Sequence, residues 1–479
     1  MTTTELTALL PLLGVAGTSI VIMAAIAIRR DRRWTISITL MGLAISLGFV
    51  FTARRVIPCK VTPLLVIDGF ALFFFVLLIA ATAVVALSAF DYLHRRGTVV
   101  DEFYMLLLFA TLGSCVLAAS THFASLFLGL EILSVSLYAM VAYLRRARIS
   151  LEAGVKYLIL AAVSSAFMLF GMALVYAQTG TMALADLANL QLSQGTGPAV
   201  ITVAGLALMM VGIGFKLALA PFHMWTADVY EGAPVPVTAY VATVSKAAVV
   251  AVLLRLLAAV QPPTTQLVLF MTIIAGASIL IGNLLALRQD NVKRLLAYSS
   301  IAHLGYLMIA VIAGGADGGV AAAFYLAAYI PTSLAAFGVI TVLSPEDRDC
   351  DLVDDYVGLG RSRPLLAGLL TVALLSLAGI PLTAGFVGKF LVLGAGVASG
   401  QWALALILVL GSVISIFYYL RVIVAMYMRE AASPASSKPG PRIPTAVAAT
   451  LAALLAILLW LGVWPGPFME LVHRTVGAL

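Results

Sequence analysis

Four charged side chains lie within long apolar stretches of the sequence: Glu131, Lys216, Lys246 and Lys389. A charge near the centre of a membrane-spanning helix costs roughly 2.5–3.5 kcal/mol on insertion scales, so the three lysines together cost about 8–10 kcal/mol. Serine or asparagine could make a purely structural contact at lower cost. Burial favours the neutral form of a lysine, whereas a nearby carboxylate favours its charged form. A glutamate–lysine pair whose separation or hydration changes can therefore load and release a proton.

The order of these residues predicts a proton path. We expect Glu131 and Lys216 to form the loading pair, Lys246 to receive the proton and Lys389 to act on the exit side. His303, in the segment YSSIAHLGY, is expected to relay protons between lysines, because imidazole titrates near neutral pH. The alternatives are a static ion pair for the charges and a packed, satisfied side chain for the histidine.

The composition indicates which elements hold these residues. Of 479 residues, 63% are hydrophobic and only 10% are charged, against about a quarter in soluble domains. Apolar runs of spanning length recur along the chain without the alternation of a membrane β-strand, which predicts an all-α polytopic membrane protein of about 14 transmembrane helices. The predicted span centres are Ala16, Met41, Leu77, Leu107, Leu133, Val163, Leu208, Ser245, Ile274, Leu304, Leu334, Ala373, Ile414 and Leu455.

The distribution of lysine and arginine predicts the orientation. Eighteen follow odd-numbered spans, and only Arg54, Arg55, Lys60 and Arg474 follow even-numbered ones. The positive-inside rule therefore places the odd loops in the cytoplasm and both termini on the periplasmic or outer side. The same rule explains the net charge of +7 without a nucleic-acid partner. The three cysteines lie far apart and have no companion ligands, so they predict neither a disulfide framework nor a metal site.

Two spans contain sequences that break a helix: Lys216–Pro221 in the seventh and Leu377–Gly385 in the twelfth. Paired interruptions at corresponding positions are typical of inverted-repeat transporters. We expect one five-helix repeat in spans 4–8 and a second, inverted, in spans 9–13. The predicted domains are residues 1–100, 101–262, 263–430 and 431–479. The longest polar stretches, Ser344–Arg363 and Arg429–Arg442, are predicted loops.

Other charges border the spans. Lys156 and Arg255 lie near span ends, where a long side chain can reach the membrane interface. Arg421 is as consistent with a structural pairing as with transport. Asp228 and Glu231 follow the seventh span in a predicted loop, where we expect them to be solvated or to order the loop. A role in proton entry is the alternative for these two.

Several segments resemble one family. Residues 214–238 read GFKLALAPFHMWTADVYEGAPVPVT, residues 242–248 read ATVSKAA and residues 376–390 read SLAGIPLTAGFVGKF. Together with YSSIAHLGY at residues 298–306, they resemble the antiporter-like subunits of respiratory complex I (NADH–quinone oxidoreductase). DVYEGAP and the SKAA lysine separate the sequence from the sister subunits L and M and favour the subunit N branch. The resemblance covers nearly all the spans.

The resemblance implies a 14-helix fold with two inverted five-helix repeats, each holding a half-channel. The family's essential glutamate falls on Glu131, its pump lysine on Lys216, its bridging lysine on Lys246 and its terminal lysine on Lys389. The resemblance also implies that the chain is a proton-translocating subunit embedded in the lipid bilayer of a bacterial inner membrane. Its expected neighbours are other membrane subunits of the complex, including subunits M and K. No cofactor is expected in this chain, since NADH, FMN, iron–sulfur clusters and quinone belong to partner subunits.

Three other functions stay open at this point. One is a free-standing or Mrp-type cation/proton antiporter built on the same fold. A second is a membrane subunit of a related hydrogenase or plastoquinone-type complex. The third is a structural membrane subunit whose charges only hold its neighbours together.

Overall fold

The computed structural model describes residues 1–189, 197–260, 265–428 and 443–477, which are almost entirely helical. Thirteen helices in these ranges are long and apolar enough to cross a membrane, and a further pair of shorter apolar helices makes up the twelfth span. Every predicted centre lies in the helix expected for it. In chain order, spans 1–14 are Thr3–Ile28, Arg32–Ala53, Gly69–Arg95, Asp101–Ala119, Phe123–Val141, Arg148–Thr179, Gly197–Leu217, Val235–Ala259, Thr265–Ala286, Val292–Ala313, Gly315–Leu343, Pro364–Ala378 with Ala384–Ala398, Trp402–Met428 and Thr445–Val463.

Short elements fill the connections. An antiparallel hairpin of Cys59–Val61 and Leu65–Ile67 joins spans 2 and 3, and a short helix, Gly466–Val476, follows span 14. The segment after the seventh span is a helix, Met224–Gly232, so the prediction of a loop for Asp228 and Glu231 was wrong. Its buried residues Trp225 and Val229 lie four apart and so face the same side of the helix. The predicted loop Arg429–Arg442 and the predicted boundaries at 262/263 and 430/431 lie outside the described residues.

The most buried helices lie at the centre of the molecule. In spans 8, 10 and 11, 89–94% of the membrane window is buried inside the protein. Spans 1, 6, 13 and 14 bury less than half of theirs, and their exposed side chains are mainly apolar, as a lipid-facing surface requires. Lys246 and His303 belong to two of the three central helices. A charged group there is enclosed by protein on every side.

Both predicted interruptions are present. The seventh span ends at Leu217, and Ala218 adopts a left-handed conformation with φ of 59°. The twelfth span is interrupted between Ala378 and Ala384, with Leu382 left-handed at φ of 71°. Left-handed backbone strains a residue that carries a Cβ, so both breaks need support from neighbouring helices.

Serine side chains give that support by binding free backbone groups. Ser278 of span 9 accepts a hydrogen bond from the Ala220 amide at 2.8 Å. Ser376 accepts one from the Gly385 amide at 3.1 Å across the second break. Broken backbone at membrane depth is stable only when its polar groups find such partners within the protein.

The segments that connect the spans lie on two opposite faces of the protein, an odd face after odd-numbered spans and an even face after even-numbered spans. After odd-numbered spans, Arg30 pairs with Glu102 at 3.0 Å and the Tyr143 hydroxyl donates to the Val99 carbonyl at 2.9 Å. After even-numbered spans, Ser125 donates to the Leu64 carbonyl at 2.7 Å. Each set of contacts joins connections of one parity only. The helices therefore alternate in direction, as an odd face and an even face require.

Spans 4 and 5 pack through glycine, and this contact generates a first prediction. A Cβ at Gly113 would lie 2.6 Å from the Gly129 carbonyl oxygen and 2.7 Å from the Leu133 nitrogen, whereas one at Gly48 meets nothing within 4 Å. We expect Gly113→Ala to lower the free energy of unfolding by about 1–3 kcal/mol, because backbone cannot yield as a side chain does. Thermal unfolding of the purified protein measures this.

Gly48→Ala is the matched control. It adds the same methyl group to a helix in open space, and alanine is favoured over glycine in a helix by about 0.5–1 kcal/mol. The control should leave the unfolding temperature unchanged or raise it. Equal effects of the two substitutions would contradict the close packing of spans 4 and 5.

Candidate functional site

Lys216 lies in the last turn of the seventh span, just before the break, and its side chain is only 3% exposed. Its Nζ donates a hydrogen bond of 2.7 Å to the Ser134 hydroxyl of span 5. The rings of Tyr157 and Tyr138 lie 5.5 and 5.9 Å from the amine. Aromatic faces and a hydroxyl therefore replace the hydration of the ammonium group.

Glu131 does not form a direct ion pair with Lys216. Within the described residues no lysine or arginine nitrogen lies within 4.0 Å of its carboxylate, which accepts a 2.7 Å hydrogen bond from Ser165 of span 6. Ser134, the hydrogen-bond partner of Lys216, follows Glu131 by three residues and so lies on the same side of the helix. The two predicted partners are therefore not in contact. Each binds a serine hydroxyl: Ser165 for Glu131 and Ser134 for Lys216.

Glu131 also lies on a part of its helix that the rest of the chain does not cover completely. The side chain is half-buried, and on the same helix Leu128 and Val135 are 56% and 59% exposed. A carboxylate at membrane depth does not face lipid, because the free energy of burying it there is too high. On this edge of spans 5 and 6 the strongly exposed neighbours are apolar, and the carboxylate is bound by Ser165.

Lys246 is 1% exposed and follows a π-helical turn, Val241–Ser245, that sequence reasoning did not predict. Its Nζ donates a 2.6 Å hydrogen bond to Ser300 of span 10, and the Tyr230 ring lies 5.6 Å away. The Tyr329 hydroxyl of span 11 donates to the same serine oxygen at 2.7 Å. Because a hydroxyl both accepts and donates, Ser300 can pass a proton to or from the amine.

His303 lies one turn after Ser300 on the same helix and is 4% exposed. Its Nδ1 is 2.6 Å from the Tyr325 hydroxyl, its Nε2 is 3.4 Å from the Tyr419 hydroxyl, and the Tyr329 ring centroid is 5.4 Å from its own. Both ring nitrogens thus have hydroxyl partners. A proton can enter the ring at one nitrogen and leave at the other.

Lys389 lies in the second half of the twelfth span and is 6% exposed. Its Nζ donates a 2.9 Å hydrogen bond back to the Ala378 carbonyl, at the end of the first half, and the Tyr306 ring lies 5.1 Å away. Carbonyl groups at a helix C-terminus carry partial negative charge and favour a cation. The break in the helix therefore provides the partner for the lysine.

The predicted residues form two groups. Glu131 and Lys216 share the serine contacts of spans 5 and 6. Lys246 and His303 meet through Ser300 and Tyr329, and the Tyr306 ring lies beside both His303 and Lys389. Within the described chain, no hydrogen bond joins Lys216 to Lys246. Sequence reasoning missed the hydroxyl partners contributed by distant spans: Ser134, Ser165, Tyr325, Tyr329 and Tyr419.

The cations near span ends have carboxylate partners. Lys156 pairs with Asp228 at 2.8 Å, in addition to Glu152 on its own helix. Arg255 pairs at 2.7 Å with Asp68, which caps span 3 at the even face, and its side chain is only 9% exposed, so it reaches that face as one half of an ion pair. Arg421 donates to the Gln289 carbonyl at the end of span 9, which favours the structural reading of this residue. Lys293 is one of the eighteen basic residues that were assigned to the connections after odd-numbered spans. It is completely buried at the start of span 10.

These features define a polytopic helical membrane protein in which buried lysines, hydroxyls and one histidine lie along its middle. Residues 120–415 match the family model described as "NADH:quinone oxidoreductase/Mrp antiporter, TM". The chain is 47% identical over 483 residues to the NADH-quinone oxidoreductase subunit N of Ectopseudomonas mendocina, covering 99% of this chain and 97% of that protein. The chain belongs to this family of NADH:quinone oxidoreductase and Mrp antiporter membrane subunits.

Solved structures have the same fold. A chain of respiratory complex I from Thermus thermophilus, with bound aureothin, matches with a TM-score of 0.83 and 34% identity, covering 97% of this chain and 99% of that one. A chain of the Mrp complex from Dietzia matches with a TM-score of 0.86, covering 100% of this chain and 98% of that one. Its identity of 22% shows likeness of fold alone.

The Arg255–Asp68 contact generates a second prediction. Arg255→Met keeps most of the apolar stem but leaves a half-buried carboxylate without its cation, so we expect a loss of about 1–3 kcal/mol in the free energy of unfolding. Arg55→Met, at an exposed position on the same even face, should cost nothing measurable. An Arg255→Met protein as stable as the control would mean that the arginine is solvated after all. Thermal unfolding in detergent compares the two.

Proposed function

We propose that this chain is a proton-translocating membrane subunit, of the subunit N type, in an NADH–quinone oxidoreductase. In this role it couples quinone reduction in other subunits to proton movement through Glu131, Lys216, Lys246, His303 and Lys389. The proposal is carried by one observation: three lysines at membrane depth are held by hydroxyls, carbonyls and aromatic rings and, within the described residues, by no carboxylate in contact. Near full-length similarity to a subunit N supports the assignment to a complex.

The partners of each lysine bear on how a proton would move. A carboxylate in contact would hold an ammonium charged, whereas a hydroxyl can hydrogen-bond to either the charged or the neutral amine. The negative charge of Glu131, on the far side of Ser134 from Lys216, would favour the charged form of Lys216. A change in the hydration of the carboxylate would weaken this effect and allow the lysine to release its proton. The proton would then pass to Lys246, through Ser300 and His303, and on to Lys389. Quinone reduction would supply the free energy from outside this chain.

Two inverted repeats, spans 4–8 and 9–13, belong to the proposal. Their support is local: each candidate repeat has one broken helix, and a serine binds the free amide beyond each break. Close helix contacts through glycine also recur, with Gly113 and Gly129 between spans 4 and 5 and Gly282 and Gly305 between spans 9 and 10. These are the first two helices of each candidate repeat.

The surroundings of the chain follow from the same proposal. We place it in a bacterial inner membrane with the odd face in the cytoplasm and both termini on the outer side, as the charge distribution predicts. The half-buried Glu131 needs a covering partner, and neighbouring membrane subunits of the M and K type would provide one. NADH, FMN, iron–sulfur clusters and quinone would be bound by other subunits, with no redox centre in this chain.

A cation/proton antiporter is the second candidate function, favoured by the match of fold to the Mrp complex. The two candidates differ in what the chain needs. An antiporter would exchange sodium for protons without an electron donor, whereas the proposed subunit would not move protons outside its complex. Sodium-dependent proton exchange by the chain expressed alone would favour the antiporter.

Lys216→Ala is the direct test of the proposed function. The lysine is replaced in the assembled complex, and proton translocation and quinone reduction are measured in vesicles. Because a positioned acid–base group contributes at least about 10²-fold to proton transfer, we expect proton translocation to fall by about tenfold or more. Flavin- and iron–sulfur-bearing subunits should copurify with the chain.

Lys60→Ala is the control, since Lys60 is an exposed lysine of the hairpin on the even face. It should leave both rates unchanged. If the Lys216→Ala complex assembles, reduces quinone and still pumps at the full proton-to-electron ratio, the proposed function is wrong. A structural subunit would give that result.

Gly379 provides a test of the terminal lysine that leaves the lysine in place. Gly379 has φ of 84°, and a Cβ there would lie 2.8 Å from Lys389 Cδ; Gly400 has φ of 78° and open space around it. Both alanine substitutions strain the backbone, but only Gly379→Ala also displaces Lys389 from the Ala378 carbonyl. We expect proton translocation to fall by about threefold or more in Gly379→Ala relative to Gly400→Ala. Equal rates in the two would remove Lys389 from the path.

A further inference from the structure

Lys293, at the start of span 10, is fully buried and makes three short hydrogen bonds. Its Nζ donates to the Glu231 carbonyl at 2.7 Å, to the Ala233 carbonyl at 2.8 Å and to the Asp349 carboxylate at 2.8 Å. The two carbonyls belong to the end of helix Met224–Gly232 and the turn that opens span 8. One ammonium group therefore joins three separate segments: span 10, the entry to span 8 and the connection after span 11.

Asp349 holds this ammonium in place. Its other carboxylate oxygen accepts hydrogen bonds from Arg96 at 2.5 Å and from the Tyr92 hydroxyl at 2.7 Å, both at the end of span 3. Burial raises the pKa of the Asp349 carboxyl. The charge and hydrogen bond of Lys293, together with the charge of Arg96 and the hydrogen bond of Tyr92, lower it by a larger amount, so the pKa lies below its ordinary value. The carboxylate is thus charged at neutral pH. Two cations and one hydroxyl saturate it.

Span 10 carries Lys293 and Ser300 on one face, because seven residues correspond to two helical turns, a rise of about 10.5 Å. At one end of this face, Lys293 binds the turn that opens span 8. At the other end, Ser300 binds Lys246 within span 8 at 2.6 Å and lies 3.4 Å from the Tyr230 hydroxyl of the preceding helix. Spans 8 and 10 are therefore fixed to each other at two points on the same side.

We propose that Lys293 is a positioning residue for proton transfer at Lys246. By fixing the start of span 10 against the turn before span 8, it holds the Ser300 hydroxyl within hydrogen-bond distance of the Lys246 amine. This inference rests on the proposed function, since it assigns a role within the same path. Lys293 itself lies outside the path, because its three hydrogen bonds go to fixed acceptors, two backbone carbonyls and the Asp349 carboxylate.

The geometry explains why a lysine is needed at this position. A shorter or apolar side chain would leave two backbone carbonyls without donors and Asp349 with one cation fewer, in a site closed to water. Relaxation of that site would move the start of span 8 relative to span 10. A hydrogen bond of 2.6 Å tolerates little movement, so the loss would appear at Lys246 and Ser300, two turns away.

A double-mutant cycle in the assembled complex tests the proposal. Lys293→Met, Ser300→Ala and the double variant are compared for protons translocated per quinone reduced. We expect each single variant to lower this ratio by about three- to tenfold, since residues in one hydrogen-bond network are energetically coupled. We expect the double variant to match the lower single variant, because Lys293 acts through Ser300. Losses that multiply in the double variant, or an unchanged ratio in Lys293→Met, would overturn the inference.

Arg348→Met is the matched control. Arg348 is 54% exposed and lies in the same connection as Asp349; it forms an ion pair of 2.6 Å with Asp355 and donates to the Asp349 backbone carbonyl at 3.2 Å, leaving the Asp349 carboxylate to Lys293. It should leave the ratio unchanged. If Lys293→Met does not assemble, Lys293→Gln replaces it in the cycle, since the amide can still donate to a backbone carbonyl while the charge and the bond to the Asp349 carboxylate are lost. The same two outcomes then support or overturn the inference.

The result is separable from the proposed function. If Lys216→Ala keeps full translocation, the proposed function fails whatever the cycle gives. If Lys216→Ala loses translocation but the Lys293 and Ser300 losses multiply, the function stands and only the positioning role of Lys293 is wrong.

Discussion

The structure depends on the free energy of holding lysine amines among apolar helices without a carboxylate in contact. Lys216, Lys246 and Lys389 have serine hydroxyls, a helix-end carbonyl and aromatic faces as partners. These groups stabilise an ammonium less than a carboxylate would. The charged and neutral forms of each amine therefore lie closer in free energy than those of a lysine in an ion pair. That balance is the physical requirement for a group that must both take up and release a proton.

The cations on the two faces show the opposite arrangement. Lys156, Arg255 and Lys293 each contact a carboxylate. A fixed counter-ion keeps a cation charged and gives it a structural role, joining helices that are distant in sequence. The type of partner thus divides the basic residues into those that can change charge and those that hold the fold. Burial by itself would not separate Lys293 from Lys246, since both are fully buried.

Broken helices connect these two groups of residues. A continuous helix satisfies its own carbonyls and has none to offer a lysine, whereas the break in span 12 frees the Ala378 carbonyl for Lys389. The break in span 7 ends the helix just after Lys216, and the helix beyond it leads to the carbonyls that Lys293 binds. Each break thus frees backbone carbonyls, and a lysine binds them. At the odd face, the ion pair of Lys293 with Asp349 fixes the segment that follows the break in span 7.

The sequence determined the number and order of the spans, since an apolar run of spanning length has no alternative to a helix in lipid. It also determined both breaks, from proline and glycine, and the identity of the charges within the apolar runs. The helical form of residues 224–232 and the π-turn before Lys246 were not predictable, because short-range signals at these positions compete with tertiary contacts. Only the tertiary structure decided that Glu131 and Lys216 interact across serines, that Ser300 links Lys246 to Tyr329, and that Lys293 is buried with Asp349. The reason is physical: the cost of a buried charge can be read from one helix, but its partners come from other helices, and packing alone brings them together.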